Sequence, residues 1–303
     1  MDLKSKIILI YGPTSSGKSQ FAVKLAKKIN GEVINADSMQ IYKELNILTA
    51  RPFKSDYKKI KHHLYGFQSV KKKFSTGDWL KLAKQKILDL KKRKKIPILV
   101  GGTGLYFKAL TDGLVKIPNI KIKLRNKIRL MQKKMGQKKF YKKLLNLDPL
   151  IKDKIDKNDI QRSIRSYEIK YQTKRSIVEW FKKTKVFFPS NEFVKIYIDY
   201  PREDLIKKIN FRVEKMFKDG AIEEVKRFNK IKVRKENSSI KVIGIKEISN
   251  LVNNISTIEE TKKLISIKTR QYAKRQATWA RGQMQSWEKI NPKNLSLVIK
   301  NLK

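Results

Sequence analysis

The chain has 303 residues and a net charge of +46 at pH 7, because lysine and arginine outnumber aspartate and glutamate by 73 to 27. It contains no cysteine, which excludes structural disulfides, thiolate zinc sites and a catalytic cysteine. The apolar run near the first residue is too short for a signal peptide, and no stretch approaches the roughly 18 apolar residues of a membrane-spanning helix, so we expect a cytoplasmic protein with no membrane partner.

The first predicted strand, residues 7–11, runs into a phosphate-binding loop. Residues 12–19 read GPTSSGKS and match the pattern G-x-x-x-x-G-K-[ST] at every fixed position. An amphipathic helix over residues 18–30 follows, so backbone N–H groups of the loop can surround a diphosphate or triphosphate at the helix N-terminus. Lys18 is expected to reach the outer phosphate oxygens and Ser19 to hold Mg²⁺ through its hydroxyl. The predicted diphosphate- or nucleotide-binding residues are Gly12, Pro13, Thr14, Ser15, Ser16, Gly17, Lys18 and Ser19.

A second predicted strand, residues 32–36, ends at Asp37. A carboxylate in this place beside a phosphate loop is typical of a ligand to Mg²⁺-bound water or of a general base, and a cap on the following turn is the structural alternative. Farther along, His62 and His63 are adjacent, and side chains of neighbouring strand residues point to opposite faces. We therefore expect these histidines to pack or to hydrogen-bond within a loop rather than to bind a metal.

Helix and strand signals continue to alternate up to a second glycine-rich turn. A helix is predicted over residues 75–94, with Ser75 or Thr76 as its N-cap. The strand at residues 98–100 then runs into the turn GGTG. Thr103 in this turn either donates a hydrogen bond to a phosphate or bridging oxygen or caps the next helix, and the sequence leaves both open. This alternation predicts an α/β fold with a parallel sheet covered by helices, whose ligands bind beyond the carboxyl ends of the strands.

From residue 112 onward, strand signals give way to lysine-rich helical patterns that break near Gly136 and at residues 148–149. Another strand is predicted at residues 194–200, and mainly helical structure follows it. We therefore predict a catalytic core interrupted by an all-helical inserted domain. The predicted boundaries are residues 1–112 and 190–303 for the core and residues 113–189 for the insertion.

Two features leave their interpretation open. Residues 269–283 predict a basic helix in which Tyr272 and Trp279 alternate with arginine and lysine. Such a helix either binds RNA through charge and base stacking or turns its aromatic side chains into the core. Likewise, the excess of positive charge either favours a polyanionic partner or reflects the lysine-rich composition that an A/T-rich genome imposes.

Seven segments, in order from residue 7 to about residue 287, carry a more specific resemblance. They read GPTSSGKS, NADSMQIYKELNILTARP, HHL, PILVGGTGLYFKALTDGL, DIQRSIRSYEI, KVIGIKEI and TRQYAKRQATWAR. Together they resemble the tRNA dimethylallyltransferase family, and DSMQIY and GGTGLY are the most specific among them. The resemblance covers nearly the whole chain and implies a P-loop NTPase-like sheet with a helical insertion.

The resemblance also implies a reaction and its partners. Dimethylallyl diphosphate would lie in the phosphate loop with Mg²⁺, and N6 of the adenosine 3′-adjacent to the anticodon of a tRNA would attack its allylic carbon and release diphosphate. Asp37 would take the proton from N6, and Thr103 and Lys18 would stabilise the leaving charge. The insertion would hold the anticodon stem-loop. We expect the protein to act as a monomer.

The family's tRNA contacts carry over onto matching positions of this sequence. They are Asp37, Ser38, Met39, Gln40, Thr103, Arg125, Gln161, Arg162, Ser163, Ile164, Arg165, Lys241, Val242, Ile243, Gly244, Ile245 and Lys246. At Lys241 and Lys246 many relatives carry arginine, and lysine lacks the planar fork that binds two oxygens at once.

Apart from the resemblance, the residues alone leave two other functions open. A phosphate loop with a strand-end carboxylate is first of all typical of a kinase of a nucleotide or small metabolite, which would consume ATP without tRNA. A basic protein without chemistry would bind RNA in a salt-sensitive way and transfer nothing.

Overall fold

The computed structural model describes residues 6–57 and 59–301. The chain divides into two compact units. The first comprises Met1–Thr111 and Phe188–Lys303, and the second comprises Asp112–Phe187. Within the described residues, no helix combines the length and the apolar character needed to cross a bilayer.

A parallel β-sheet forms the centre of the first unit. In the described part of the chain its six strands lie in the order β3-β2-β4-β1-β5-β6, and every neighbouring pair is parallel. The strands are β1 Ile7–Tyr11, β2 Gly31–Asn35, β3 His62–His63, β4 Ile96–Gly101, β5 Phe193–Ile198 and β6 Glu288–Ile290. The predicted parallel sheet covered by helices is confirmed.

The helices follow the predicted alternation. Those of the first unit are α1 Lys18–Lys28, α2 Thr76–Lys92 and α3 Gly104–Thr111, and, after the second unit, α7 Arg202–Lys218, α8 Ala221–Lys230, α9 Ile245–Val252, α10 Ile258–Gln283 and α11 Leu295–Asn301. Those of the second unit are α4 Ile122–Leu147, α5 Ile160–Thr173 and α6 Ile177–Phe181. Ser75 caps α2 by accepting a hydrogen bond from the N–H of Asp78, one of the two caps that the sequence allowed.

Both faces of the sheet are buried, which explains why β1 is apolar throughout. Successive side chains of a strand point to opposite faces. Leu9 and Tyr11 therefore pack with residues of α2 and α3, and Ile8 and Ile10 pack with residues of α1, against which apolar side chains of α11 also lie. A third cluster joins α7, α8, α9 and α10 to the loop that follows Asp37.

Several strand predictions differ from the structure. His62 and His63, expected in a loop, form β3 beside β2, and β2 and β5 end at Asn35 and Ile198 rather than at residues 36 and 200.

β4 begins at Ile96, two residues before the predicted start. A proline is tolerated there because pairing with β1 starts only at Ile98, so Pro97 opposes Glu32 of β2 alone. β6 was not predicted at all. It has three residues, of which only Ile290 is buried, so it carries no readable hydrophobic period.

The second unit is helical and has its own apolar core. α4 is kinked at Gly136, whose φ of 74° is the left-handed conformation that glycine adopts without strain. This break was predicted, as was the one at residues 148–149, where Pro149 starts a 3-10 turn. The core of this unit contains Phe140, Leu144 and Tyr167.

The buried carboxylate of Glu32 in β2 is expected to stabilise the fold through its charge. Burial disfavours its charge, but hydrogen bonds from Arg93 (2.8 and 3.1 Å) and His63 (2.6 Å) outweigh burial and lower its pKa to about 2. Because the folded-state pKa is lowered, the stabilisation is present above the unfolded value of about 4.5 and is lost as the pH falls through 2.

We expect Glu32→Gln to lower the free energy of unfolding at pH 7 by about 1.5–3 kcal/mol, toward the lower end because Arg93 is partly exposed. The difference from the wild type should shrink at pH 3. Urea denaturation at both pH values measures it, and an equal difference at both would contradict this role of the charge.

Candidate active site

The structure brings three predicted segments together at the carboxyl edge of the sheet. Tyr11 at the end of β1 pairs with Gly101 at the end of β4, so the loops that follow these strands are neighbours. The N–H of Thr103 donates to the carbonyl oxygen of Ala36 at 3.2 Å, which fixes the turn after β4 against the end of β2. The phosphate loop (residues 12–19), Asp37 and the GGTG turn therefore share one crevice.

The phosphate loop has the conformation and the chemistry of an anion site. Gly17 has a φ of 80°, in the region that other residues rarely adopt, and its carbonyl accepts the N–H of Phe21 in the first turn of α1. The hydroxyl oxygens of Ser15 and Ser16 are buried and have no hydrogen-bond partner among the described residues. Buried hydroxyls require a partner, and the oxygens of a bound diphosphate would supply one.

Two partly buried cations lie at this loop. Lys18 donates to the carbonyl oxygen of Pro13 at 3.1 Å. Burial, opposed by the Asp37 carboxylate and aided by Arg212, lowers the pKa of Lys18 to about 8. Arg212 comes from α7, and its guanidinium donates to the side chain of Thr14 and to the carbonyl oxygen of Leu48.

Arg212 was not among the site residues predicted from the sequence. It is one basic residue among many on an amphipathic helix, and nothing in its spacing separates it from its neighbours. Burial lowers its pKa as well, against the attraction of Asp37. A partly buried arginine beside a phosphate loop, with no carboxylate partner at hydrogen-bond distance among the described residues, is suited to an anionic ligand.

Asp37 is held in a turn of its own. Asn35 fixes its backbone, because the Asn35 side chain accepts the N–H of Asp37 at 2.8 Å and donates to its carbonyl oxygen at 2.9 Å. Oδ1 of Asp37 accepts the N–H of Met39 at 2.9 Å. The carboxylate therefore caps the following turn, as the structural alternative required. It also lies near enough to Lys18 and Arg212 to interact with their charges.

Aromatic side chains surround this carboxylate. Burial, and after it the Asp37 charge, raises the pKa of each of three tyrosines, Tyr65, Tyr106 and Tyr272. Their phenols consequently stay protonated in the physiological range. The Asp37 charge thus acts on three neutral phenols, of which Tyr106 is buried and stacked on Trp79.

Thr103 connects the GGTG turn to the loop that follows β2. Its hydroxyl accepts the N–H of Ser38 at 2.9 Å and lies 3.2 Å from the hydroxyl of Ser38, to which it donates. Gln40 points elsewhere, because its amide nitrogen donates to the carbonyl oxygens of Thr49 and Ala50, both at 3.0 Å. Met39 packs partly into the third apolar cluster.

The predicted tRNA segment at residues 241–246 joins a 3-10 turn to α9. The side chains of Lys241 and Lys246 are exposed, whereas Val242 and Ile245 are buried in the core. Ile243 is partly buried, and Gly244, with a φ of 106°, precedes α9. Of these six residues the two lysines are the exposed ones, so they are the side chains best placed to meet a ligand.

In the second unit, two predicted tRNA-contacting arginines share one carboxylate. Glu168 is buried and forms ion pairs with Arg125 (3.5 Å) and Arg165 (3.4 Å). Gln161 and Arg162 are exposed at the start of α5, and Ser163 and Ile164 are buried.

The remaining sequence candidates have structural partners. His63 pairs with Glu32, and the ring of His62 stacks on Tyr57 with centroids 4.0 Å apart. Trp279 of α10 packs against the core, while the Arg275 guanidinium lies 5.8 Å from the Tyr272 ring centre. The aromatic side chain of Trp279 therefore follows the core interpretation, and the RNA-binding interpretation of this helix stays a prediction.

Comparison with known proteins places the chain in a family. A sequence model described as IPP transferase matches residues 40–283. The chain belongs to the IPP transferase family. A tRNA dimethylallyltransferase of Pelagibacter ubique is 62% identical over 303 residues, covering 100% of this chain and 97% of that protein. A Rickettsia massiliae protein of the same name is 44% identical over 93% of this chain and 78% of its own length.

Solved structures of the IPP transferase family share the fold. A tRNA isopentenylpyrophosphate transferase from Bacillus halodurans matches with a TM-score of 0.70 at 30% identity, over 98% of this chain and 95% of that one. A eukaryotic dimethylallyltransferase acting on tRNA matches with a TM-score of 0.83, also at 30% identity, over 98% of this chain and 76% of that one. The fold is therefore P-loop NTPase-like.

Proposed function

We propose that this protein is a tRNA dimethylallyltransferase that moves a dimethylallyl group from dimethylallyl diphosphate to N6 of the adenosine 3′-adjacent to the anticodon. Membership of the IPP transferase family supports this activity. The observation that carries the detailed proposal is the cluster at the carboxyl edge of the sheet, where the Asp37 carboxylate interacts with two partly buried cations beside two buried serine hydroxyls that have no partner among the described residues.

The phosphate loop is proposed to hold the diphosphate of the donor. Ser15 and Ser16 would donate their hydroxyls to its oxygens, and Lys18 and Arg212 would balance its charge. The same loop fits Mg²⁺, because Ser19 lies in the first turn of α1, where the hydroxyl of a phosphate loop holds this ion. When bound, Mg²⁺ would neutralise charge on the diphosphate and orient it.

The proposed reaction makes one bond to the allylic carbon, breaks another, and moves one proton from N6 to Asp37. The lone pair of N6 forms a bond to the allylic carbon, and the carbon–oxygen bond breaks with its electrons going to diphosphate. An exocyclic amine conjugated to a purine is a poor nucleophile, so its proton must leave as the bond forms, and Asp37 accepts it. Lys18 and Arg212 stabilise the charge that grows on the departing diphosphate.

The second unit is proposed to hold the anticodon stem-loop. Arg125, Arg162 and Arg165 supply charge for phosphates, which is the main source of affinity in RNA binding. The adenosine must leave its stack to reach the partly buried Asp37 carboxylate, at a cost of a few kcal/mol that these contacts offset.

The affinity for dimethylallyl diphosphate is expected to fall as the pH rises through about 8. Lys18 has a pKa of about 8, and its neutral form attracts the anion less. Asp37→Asn should move this midpoint to a lower pH, because the carboxylate favours the charged form of Lys18. Calorimetric titration with the donor and Mg²⁺, without tRNA, from about pH 6.5 to 9.5 measures both effects. An affinity that is constant over this range would contradict the assignment.

A release assay tests the proposal against its two competitors. The protein is incubated with dimethylallyl diphosphate, Mg²⁺ and unmodified tRNA, and diphosphate is quantified with and without the tRNA. Release that requires tRNA is the expected result. Consumption of ATP with a phosphorylated product and no need for tRNA would favour a kinase, and tRNA binding without release would favour a binding protein.

A further inference from the structure

One side chain of α10 bridges the two glycine-containing loops of the site. Oε1 of Gln276 accepts the N–H of Thr14 in the phosphate loop at 2.9 Å, and Nε2 donates to the carbonyl oxygen of Gly102 at 2.9 Å. The backbone is fixed too, because the hydroxyl of buried Tyr11 donates to the carbonyl oxygen of Gln276 at 2.9 Å. Gln276 is only 4% exposed, so water does not compete for these bonds.

The glycines of the GGTG turn fit this docking of α10. A Cβ on Gly102 would lie 2.0 Å from Nε2 of Gln276, and a Cβ on Gly104 would lie 2.1 Å from Nε1 of Trp279, one helical turn farther along. Both contacts are far closer than atoms allow, so each position requires glycine for α10 to approach. These two glycines thus serve the contact with α10 rather than a phosphate.

The Gln276 bridge connects the phosphate loop to the turn that holds the segment around Asp37. Thr14 belongs to the loop that carries Lys18, and its side chain accepts a hydrogen bond from Arg212. Gly102 precedes Thr103, which holds Ser38 beside Asp37. Gln276 therefore sets the distance between Lys18 and Arg212, which would face the leaving diphosphate, and Asp37, which would face the attacking amine. Its own amide is occupied by Thr14 and Gly102.

We propose that Gln276 is a positioning residue that aligns the donor half of the site with the acceptor half. This inference rests on the proposed transfer reaction. A displacement of about 1 Å between reacting groups can cost on the order of 10²-fold in rate, whereas each half alone can still bind its own ligand. Loss of the bridge should therefore lower kcat more than it weakens binding.

The test uses Gln276→Met, which keeps the length of the side chain but removes both hydrogen bonds. We expect kcat for dimethylallyl transfer to fall about 10–100-fold, with nearly unchanged dissociation constants for dimethylallyl diphosphate and for tRNA. Gln276→Glu should be worse than Gln276→Met, because its carboxylate would face the carbonyl oxygen of Gly102. Gln85→Met, at an exposed position of α2, is the matched control and should retain wild-type kcat.

Three further measurements separate alignment from simple destabilisation. Circular dichroism at the assay temperature identifies conditions in which each variant is folded. In an Asp37→Asn background, Gln276→Met should cause little further loss of rate, because no base remains to be aligned. Gly102→Ala should reproduce the kcat defect, and Gly102→Ala with Gln276→Ala should be no worse than Gly102→Ala alone.

The proposal is overturned if folded Gln276→Met keeps wild-type kcat, or if its only defect is weaker binding of one substrate. It is also overturned if the losses of Gln276→Met and Asp37→Asn multiply. If the wild-type protein itself transfers no dimethylallyl group, the proposed function fails instead, so the two failures are distinguishable.

Discussion

Asp37→Asn is expected to lower kcat for dimethylallyl transfer by about 10²–10⁴-fold, the contribution that a positioned general base usually makes. Asparagine keeps an oxygen that can accept the N–H of Met39, so the turn that Asp37 caps should persist. What it loses is the ability to take a proton from N6 of the adenosine. Single-turnover assays with saturating enzyme measure the chemical step directly.

The control for this substitution is Asp78→Asn in the capping box of α2, an exposed aspartate whose carboxylate serves only the helix end. It should retain wild-type kcat. Binding of tRNA and of dimethylallyl diphosphate to the Asp37→Asn protein should also persist. Transfer at a near wild-type rate by Asp37→Asn would show that another group accepts the proton.

Arg212→Met is expected to lower kcat/KM for dimethylallyl diphosphate by about 10²–10³-fold, the usual cost of removing one donor that stabilises charge in a transition state. The guanidinium is partly buried at the phosphate loop, where it contacts Thr14 and Leu48. Methionine fills similar space without the charge, so the leaving diphosphate would lose one of its two nearby cations. Steady-state kinetics with varied donor and saturating tRNA measure the effect.

Two comparisons sharpen this prediction. Arg212→Lys should recover only part of the loss, because an ammonium group cannot bind Thr14 and Leu48 as the planar fork does. Arg202→Met, at an exposed position in the first turn of α7, should behave as the wild type. If Arg212→Met and Arg202→Met have the same kinetics, Arg212 does not act on the diphosphate.

The features that sequence predicted well are those encoded locally. β1, the phosphate loop and α1 follow one another within about twenty residues, and each has its own signal: a wholly apolar strand, a fixed motif and a helical period. Parallel topology then required the loops after β1, β2 and β4 to meet, since the carboxyl ends of parallel strands lie at one edge.

The features that sequence missed depend on contacts between distant residues. Arg212 reaches Thr14 across 198 positions of the chain, and Gln276 reaches the same residue across 262. Neither belongs to a pattern that predicts such a contact. The sequence marked GGTG only as a second glycine-rich turn, and the packed structure shows that α10 approaches Gly102 and Gly104 closely. β6 was too short to carry a period.

The most direct test of the account is nucleoside mass spectrometry on tRNA after incubation with the protein, dimethylallyl diphosphate and Mg²⁺. Digestion with a base-specific ribonuclease before analysis assigns the modified position. We predict one added C5 unit on the adenosine 3′-adjacent to the anticodon, on N6, and far less of it with Asp37→Asn after the same short incubation. An unmodified tRNA that nevertheless binds the folded protein and its donor, or a C5 unit on another nucleoside, would contradict it.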